Sequence, residues 1–181
     1  MNPGLTSPWV LLAAAMIAAV AVGCSPNPAR PVVEPACRAM AFPPPHDGVH
    51  PCSAPQVLHA AVSSLYGLDP AEGRDAHVAL AAARALLQPA FAAEAHIRMH
   101  GCAPISAVQW QDWVARKVGL STEVRLLADD LLPDTASSTS RVLSVTITPT
   151  GQTPIVFTVY ARATRHQPES AWLLAELRVL S

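Results

Sequence analysis

Charge is scarce in this sequence: Asp, Glu, Lys and Arg make up 14% of the 181 residues, and the formal net charge is -1. So weak a field does not gather phosphates. No run of Lys and Arg of the kind nucleic-acid binders use is present, which speaks against nucleic acid as a direct partner. Signatures of common chemistries are missing too. There is no G-x-S-x-G, no H-E-x-x-H, no phosphate-binding loop and no glycine-rich dinucleotide turn. The sequence therefore points to no catalytic residue, no cofactor and no metal. What it has is apolar surface, a hydrophobic fraction of 51%, much of it alanine and much of it before residue 24. The length suits one domain plus extras.

The N-terminus carries the strongest pattern. Trp9 to Val22 is uninterrupted and apolar, the length of a signal-peptide core and short of the ~20 residues that span a bilayer. It closes on Ala21-Val22-Gly23-Cys24. This resembles the bacterial lipobox, with Gly23 and Cys24 at its last two positions and Ala21 where leucine is more usual. The resemblance implies cleavage before Cys24 and acylation of its thiol. Two or more acyl chains give stable anchoring, at ~0.8 kcal/mol per buried methylene. Met1 to Pro8 contains no Lys or Arg, so only the α-amino group supplies the usual cytoplasmic positive charge. The alternative is an uncleaved anchor running from Leu5 to Pro26. Both place the rest of the chain on the extracytoplasmic face of the cell membrane.

The organisation expected is a signal peptide over 1–23, a lipidated Cys24 opening a spacer over 24–55, and a globular domain over 56–181. Half of the 18 prolines lie between Ser25 and Pro55, which predicts an extended spacer rising about 3.1 Å per residue. With Cys24 given to lipid, Cys37, Cys52 and Cys102 are the candidate disulfide cysteines in an oxidising compartment. Cys37 with Cys52 would staple the spacer, and Cys52 with Cys102 would pin it to the domain. His46, His50 and Cys52 repeat the H-x3-H-x-C spacing of His96, His100 and Cys102. Histidines four apart on a helix can share a metal, but Gly48 and Pro51 prevent a regular helix in the first copy, and no acidic partners accompany either.

After Pro55 the period becomes helical. Val57, Leu58, Ala61, Val62 and Leu65 share one face, and Gly67 and Pro70 stop the run. A second helix is predicted from about 75 to 88, capped by Asp75, with Val78, Leu80, Ala83, Leu87 and Phe91 in period. Pro89 then opens a short third helix. Trp110 and Trp113, three apart, predict a further helical stretch before Gly119, facing inward as core or lining a ligand pocket. Beyond Leu120 the period becomes two. Glu123 to Leu127, Arg141 to Thr148, Pro154 to Ala163 and Ala171 to Leu180 read as strands. Leu143, Val145 and Ile147 face one way and Ser144, Thr146 and Thr148 the other; Ile155, Phe157 and Val159 continue the buried face. Turns at Pro149 to Gln152 and His166 to Glu169 make the strands a meander. The fold class is α+β, N-terminal helices packed on a curved antiparallel sheet of about four strands. Trp172, Phe157, Leu143, Leu87 and Phe91 are expected in its core.

The pattern from about Leu58 to Val179 resembles small exported actinobacterial domains with the nuclear-transport-factor-2-like fold, found among conjugal-transfer and membrane-associated accessory proteins. The residues that carry it are Asp75-Ala76, Ala83 to Leu87 with Pro89, Trp110 with Trp113, Asp134-Thr135-Ala136 leading to Arg141, and Trp172 opening the last strand. The resemblance implies a non-enzymatic scaffold that binds an envelope protein, as an accessory of a transfer or transport system. Two alternatives stand beside it. One is a lipoprotein holding a small apolar ligand. The other is an isomerase or dehydratase, for which Asp129, Asp130, Tyr66, Tyr160 and His77 are the candidate groups.

Overall fold

The first helix, α1 (Ala54–Leu65), begins with Pro55 in its first turn, where a missing N–H and a fixed φ suit the position. The computed structural model describes residues 46–98, 104–129 and 134–180, all within the unit Val33–Ser181. Cys24, Cys37, Cys102, His100 and Asp130 lie outside the described residues, as does the whole leader. In α1 the predicted stripe of Val57, Leu58, Ala61, Val62 and Leu65 is buried to 2% exposure or less. Each of the four larger side chains contributes roughly 2 kcal/mol by leaving water. The helix ends at Tyr66, and Gly67 follows where a Cβ would meet the Ser63 carbonyl oxygen at 3.1 Å.

A 3-10 turn over Pro70–Glu72 is capped by Asp69, whose Oδ1 accepts from Ala71 N–H at 3.1 Å and from Leu120 N–H at 3.3 Å. This buried carboxylate ties the loop after α1 to the first residue of the sheet. Asp75 caps α2 (Ala76–Ala83) as expected, accepting from His77 and Val78 N–H at 2.9 and 3.0 Å. The single helix predicted to 88 is shorter: it tightens to a 3-10 turn over Arg84–Leu86, and Leu87 is extended. Two causes combine. Pro89 disfavours helical backbone in the residue before it, and Leu87 bridges Leu174 while Gln88 N–H donates to the Leu174 carbonyl at 2.8 Å. Val78, expected inward, is 45% exposed, because α2 turns Ala79 and Ala83 inward. Pro89 does open α3 (Pro89–Arg98). Phe91 is half-buried against the core.

The last helix, α4 (Ala107–Arg116), is capped by Ser106, whose Oγ accepts from Gln109 N–H at 3.1 Å, and ends at Lys117 in the left-handed region. Trp113 is 1% exposed, and its indole N–H donates to Gln152 Oε1 at 3.3 Å; Trp110 packs half-buried on the core. Four strands come next: β1 (Leu120–Asp129), β2 (Ser138–Pro149), β3 (Ile155–Thr164) and β4 (Leu173–Leu180). They form one antiparallel meander in the order β1-β2-β3-β4. Val145 pairs with Val124 on one side and Phe157 on the other, and Leu143 with Leu126 and Val159, so these rows share one face of the sheet, buried except at Leu126, which is 47% exposed on the edge strand. Register shifts at Leu126/Ala128 and Arg162/Ala163 bend β1 and the β3–β4 pair. Helix α1 packs against all four strands. The outer face carries Ser144, Thr146, Thr158 and Tyr160, with Glu176 bonded to Arg162 and Arg178.

The packed region reaches back into residues expected to belong to the spacer. His46 is buried with Nε2 on the Ala82 carbonyl, and the Pro51 carbonyl accepts from Trp172 N–H at 2.9 Å. Among the described residues no helix is long and apolar enough to cross a membrane.

Candidate functional site

The inward rows of the two central strands both end in arginine. On β2 the row Ile147, Val145, Leu143 arrives at Arg141; on β3 the row Phe157, Val159, Ala161, Ala163 runs on to Arg165. Antiparallel pairing brings both arginines to the same end of the sheet, where Trp172 leads into β4 and α1 begins. Arg141 and Arg165 are buried, at 8% and 9% exposure, a position arginine takes only when its charge is matched.

Arg141 is matched by Asp134. Its Nη1 donates to Asp134 Oδ1 at 2.8 Å and its Nη2 to Oδ2 at 2.7 Å, a two-pronged pair that fixes orientation as well as charge. Arg141 Nη1 also donates to Thr139 Oγ1 and the Ser140 carbonyl, and the Thr139 hydroxyl donates to Asp134. A tight turn, Thr135 N–H to the Ser138 carbonyl at 2.9 Å, presents the carboxylate. The hydrogen bonds from Arg141 hold the Asp134 carboxyl down at about 2, against partial burial that pushes it up; the Thr139 bond and the Arg141 charge add to the lowering. The folded value lies below the unfolded one, so the stabilisation is complete above about pH 4 and is lost as pH falls toward 2. Because the Asp134 side chain is half exposed, the contribution is about 1 kcal/mol once solvent screening is counted. Asp134→Asn is expected to lower the midpoint of urea unfolding at pH 7 and to lower it much less at pH 2, where the wild-type carboxyl is already about half protonated.

Arg165 is matched differently. Its Nε donates to the Ala136 carbonyl at 2.6 Å and its guanidinium carbon stands 4.5 Å from the centre of the Trp172 ring. A cation over an indole face is favourable by about 1 kcal/mol. Its Nη1 is buried and has no acceptor among the described residues.

The two arginines share an open cleft of about 400 Å³ with His50, Ser53, Pro55 and Trp172. A second cleft, of about 390 Å³, lies beside α1 and is mainly apolar, lined by Val49, Leu58, Leu126 and Leu143. A third, of about 480 Å³, lies at α2 and α3 and is lined by His77, Leu80 and Arg84.

The residues singled out in the sequence are scattered. Cys52 is disulfide-bonded and lines the arginine cleft; the other cysteines lie outside the described residues. Of the H-x3-H-x-C pair, His46 bonds a backbone carbonyl and His50 Nδ1 accepts from Cys52 N–H at 3.3 Å. Among the described residues no group of three or more His, Cys, Asp or Glu is placed to hold a metal ion. Of the candidate catalytic groups, Tyr66 is in the core, edge-on to Phe157 at 5.2 Å, His77 lines the α2–α3 cleft, Tyr160 is on the outer row of β3 and Asp129 ends β1. No described cleft brings them together. Arg165 and its juxtaposition with Arg141 were missed in the sequence, although the signal was there: an alternating apolar row that ends in a cation at an inward position. Compared with known proteins, the chain matches no family model, no curated protein and no solved structure.

Proposed function

We propose that this chain is a lipoprotein held through an acylated Cys24 at the extracytoplasmic face of the cell membrane, and that its domain works by binding another envelope protein rather than by catalysis. The supporting observation is the filled interior. Between α1 and the sheet, where an enzyme or carrier of this layout would keep its chamber, Leu58, Leu65, Tyr66, Leu143, Ile147 and Val159 are buried against one another. We read the α+β layering as the nuclear-transport-factor-2-like cone, with its chamber closed by these side chains. The disulfide at Cys52 suits an oxidising compartment. Accessory function in a transfer or transport system follows the resemblance of the Trp110/Trp113 and Asp134 to Arg141 segments.

Cross-linking in native membranes tests the reading. Full-length chain carrying a photoreactive residue at exposed Gln167, two residues beyond Arg165, is expected to yield a discrete adduct with one envelope protein. Absence of any adduct, together with a stoichiometric apolar molecule in a solvent extract of the purified protein, would favour the carrier instead, seated in the cleft beside Leu126.

A further inference from the structure

We propose that the cleft between Arg165, Arg141 and the start of α1 is a carboxylate-binding site, which takes an acidic side chain of the partner protein. The inference rests on the protein-binding reading and specifies its chemistry.

Three observations converge there. The first is the buried guanidinium: Arg165 is 9% exposed, and its Nη1 has no acceptor among the described residues. Most buried polar groups in folded proteins find a partner. A carboxylate oxygen entering the cleft supplies that acceptor after a small turn of the guanidinium. The second is the start of α1. This twelve-residue helix has Ser53 at its N-cap with no side-chain capping bond, and Ser53, Ala54 and Pro55 line the same cleft. Apart from Pro55, which has no N–H, the first N–H groups of a helix lack partners within it and carry a partial positive charge, so an anion there is favoured. The third is the charge count. Two arginines and one aspartate line the cleft, leaving one net positive charge. A carboxylate neutralises that charge; a phosphate dianion would exceed it.

The walls select further. Trp172 and Pro55 supply apolar surface beside the cations, which suits the methylenes of Glu with its carboxylate at the arginine end. His50 Nδ1 accepts from Cys52 N–H, so in the neutral ring the proton sits on Nε2, which makes His50 a second donor. Asp134 holds Arg141 in place through its two oxygens, leaving Arg165 as the cation free to take the ligand.

The probe is a blocked tripeptide, acetyl-Gly-Glu-Gly-amide, titrated into detergent-solubilised full-length protein and followed by calorimetry and by the change in tryptophan fluorescence. Its Gln counterpart and inorganic phosphate are the controls. The Glu peptide is expected to bind at least about tenfold more tightly than the Gln peptide, and added salt should weaken it. Arg165→Met keeps an apolar chain over Trp172 and should abolish the Glu preference. Since that variant can also disturb folding, Ser53→Asp is the second. An aspartate at this extended N-cap position stabilises the helix, yet sets a negative charge at the cleft, so binding should weaken about tenfold while thermal stability holds or rises. Equal binding of the Glu and Gln peptides, tighter binding of phosphate, or an undiminished Glu preference in Ser53→Asp would each overturn the assignment. A cross-linked partner captured equally by wild type and Arg165→Met would also overturn it while leaving the protein-binding reading intact. Loss of the wild-type adduct itself, with the peptide still bound, would do the reverse.

Discussion

Replacing Phe157 with alanine is expected to destabilise the domain by about 3 to 5 kcal/mol, because the ring is buried and the structure around the space it leaves relaxes only in part. Phe157 sits on the inward row of β3 opposite Val145, and its ring meets Tyr66 at 73° with centroids 5.2 Å apart. That contact joins the end of α1 to the middle of the sheet. Losing it removes the aromatic pair as well as the buried area, a further ~0.5 to 1.5 kcal/mol that is already part of the upper end of the range. For a domain of this size the melting temperature should fall by roughly 10 to 20 °C. Thr158→Ala, one residue along on the outer row, should shift it by no more than a few degrees. Calorimetric scans of the two variants decide the matter: equal melting temperatures would place the strand face the other way round.

That contrast between neighbours was readable in the sequence, since a strand's side chains alternate and one residue of slip exchanges the two faces. The row Leu143, Val145, Ile147 and the stripe Val57 to Leu65 were legible for the same reason: a strict period leaves one way to bury the apolar side. Where the period was diluted, legibility failed. In Ala76 to Leu87 nearly every residue is apolar, so the pattern, which put Ala83 inward correctly, also put Val78 inward and missed Ala79. Nor could it end the helix at Ala83, because Pro89 was legible but its partner cause, Leu174, which bonds Gln88 N–H, is distant in sequence.

The arginine cleft was only half legible. Asp134 and Arg141 were singled out only among the residues that carry the resemblance, not as an ion pair, and Arg165 became a neighbour of Arg141 only through the antiparallel register of β2 and β3, and a neighbour of Ser53 only through the packing of α1 across the sheet. A site made by three segments needs the tertiary fold to assemble it. Asp69 is the same lesson in a structural setting. Its carboxylate caps a turn, as its place before Pro70 suggests, and also accepts from Leu120 N–H, which no local pattern predicts.

The position with the largest expected effect on where the protein works is Cys24. On the lipoprotein reading proposed above, acylation falls on this thiol, so wild-type chain extracted from membranes should show a mass lower than the full sequence by the 23-residue leader and raised by the added acyl groups. Cys24→Ser should lose the acyl mass entirely. With two or more chains attached, hydrophobic insertion holds the wild type on the membrane through repeated washing, whereas without them the described domain offers no helix long and apolar enough to span. If the leader is cut, the variant should therefore pass to the soluble fraction. If instead both proteins keep their full mass and stay with the membrane, Trp9 to Val22 is acting as an uncut anchor. The domain would still face outward, and its tether would be the spacer from Ser25 to the packed residues that begin at His46.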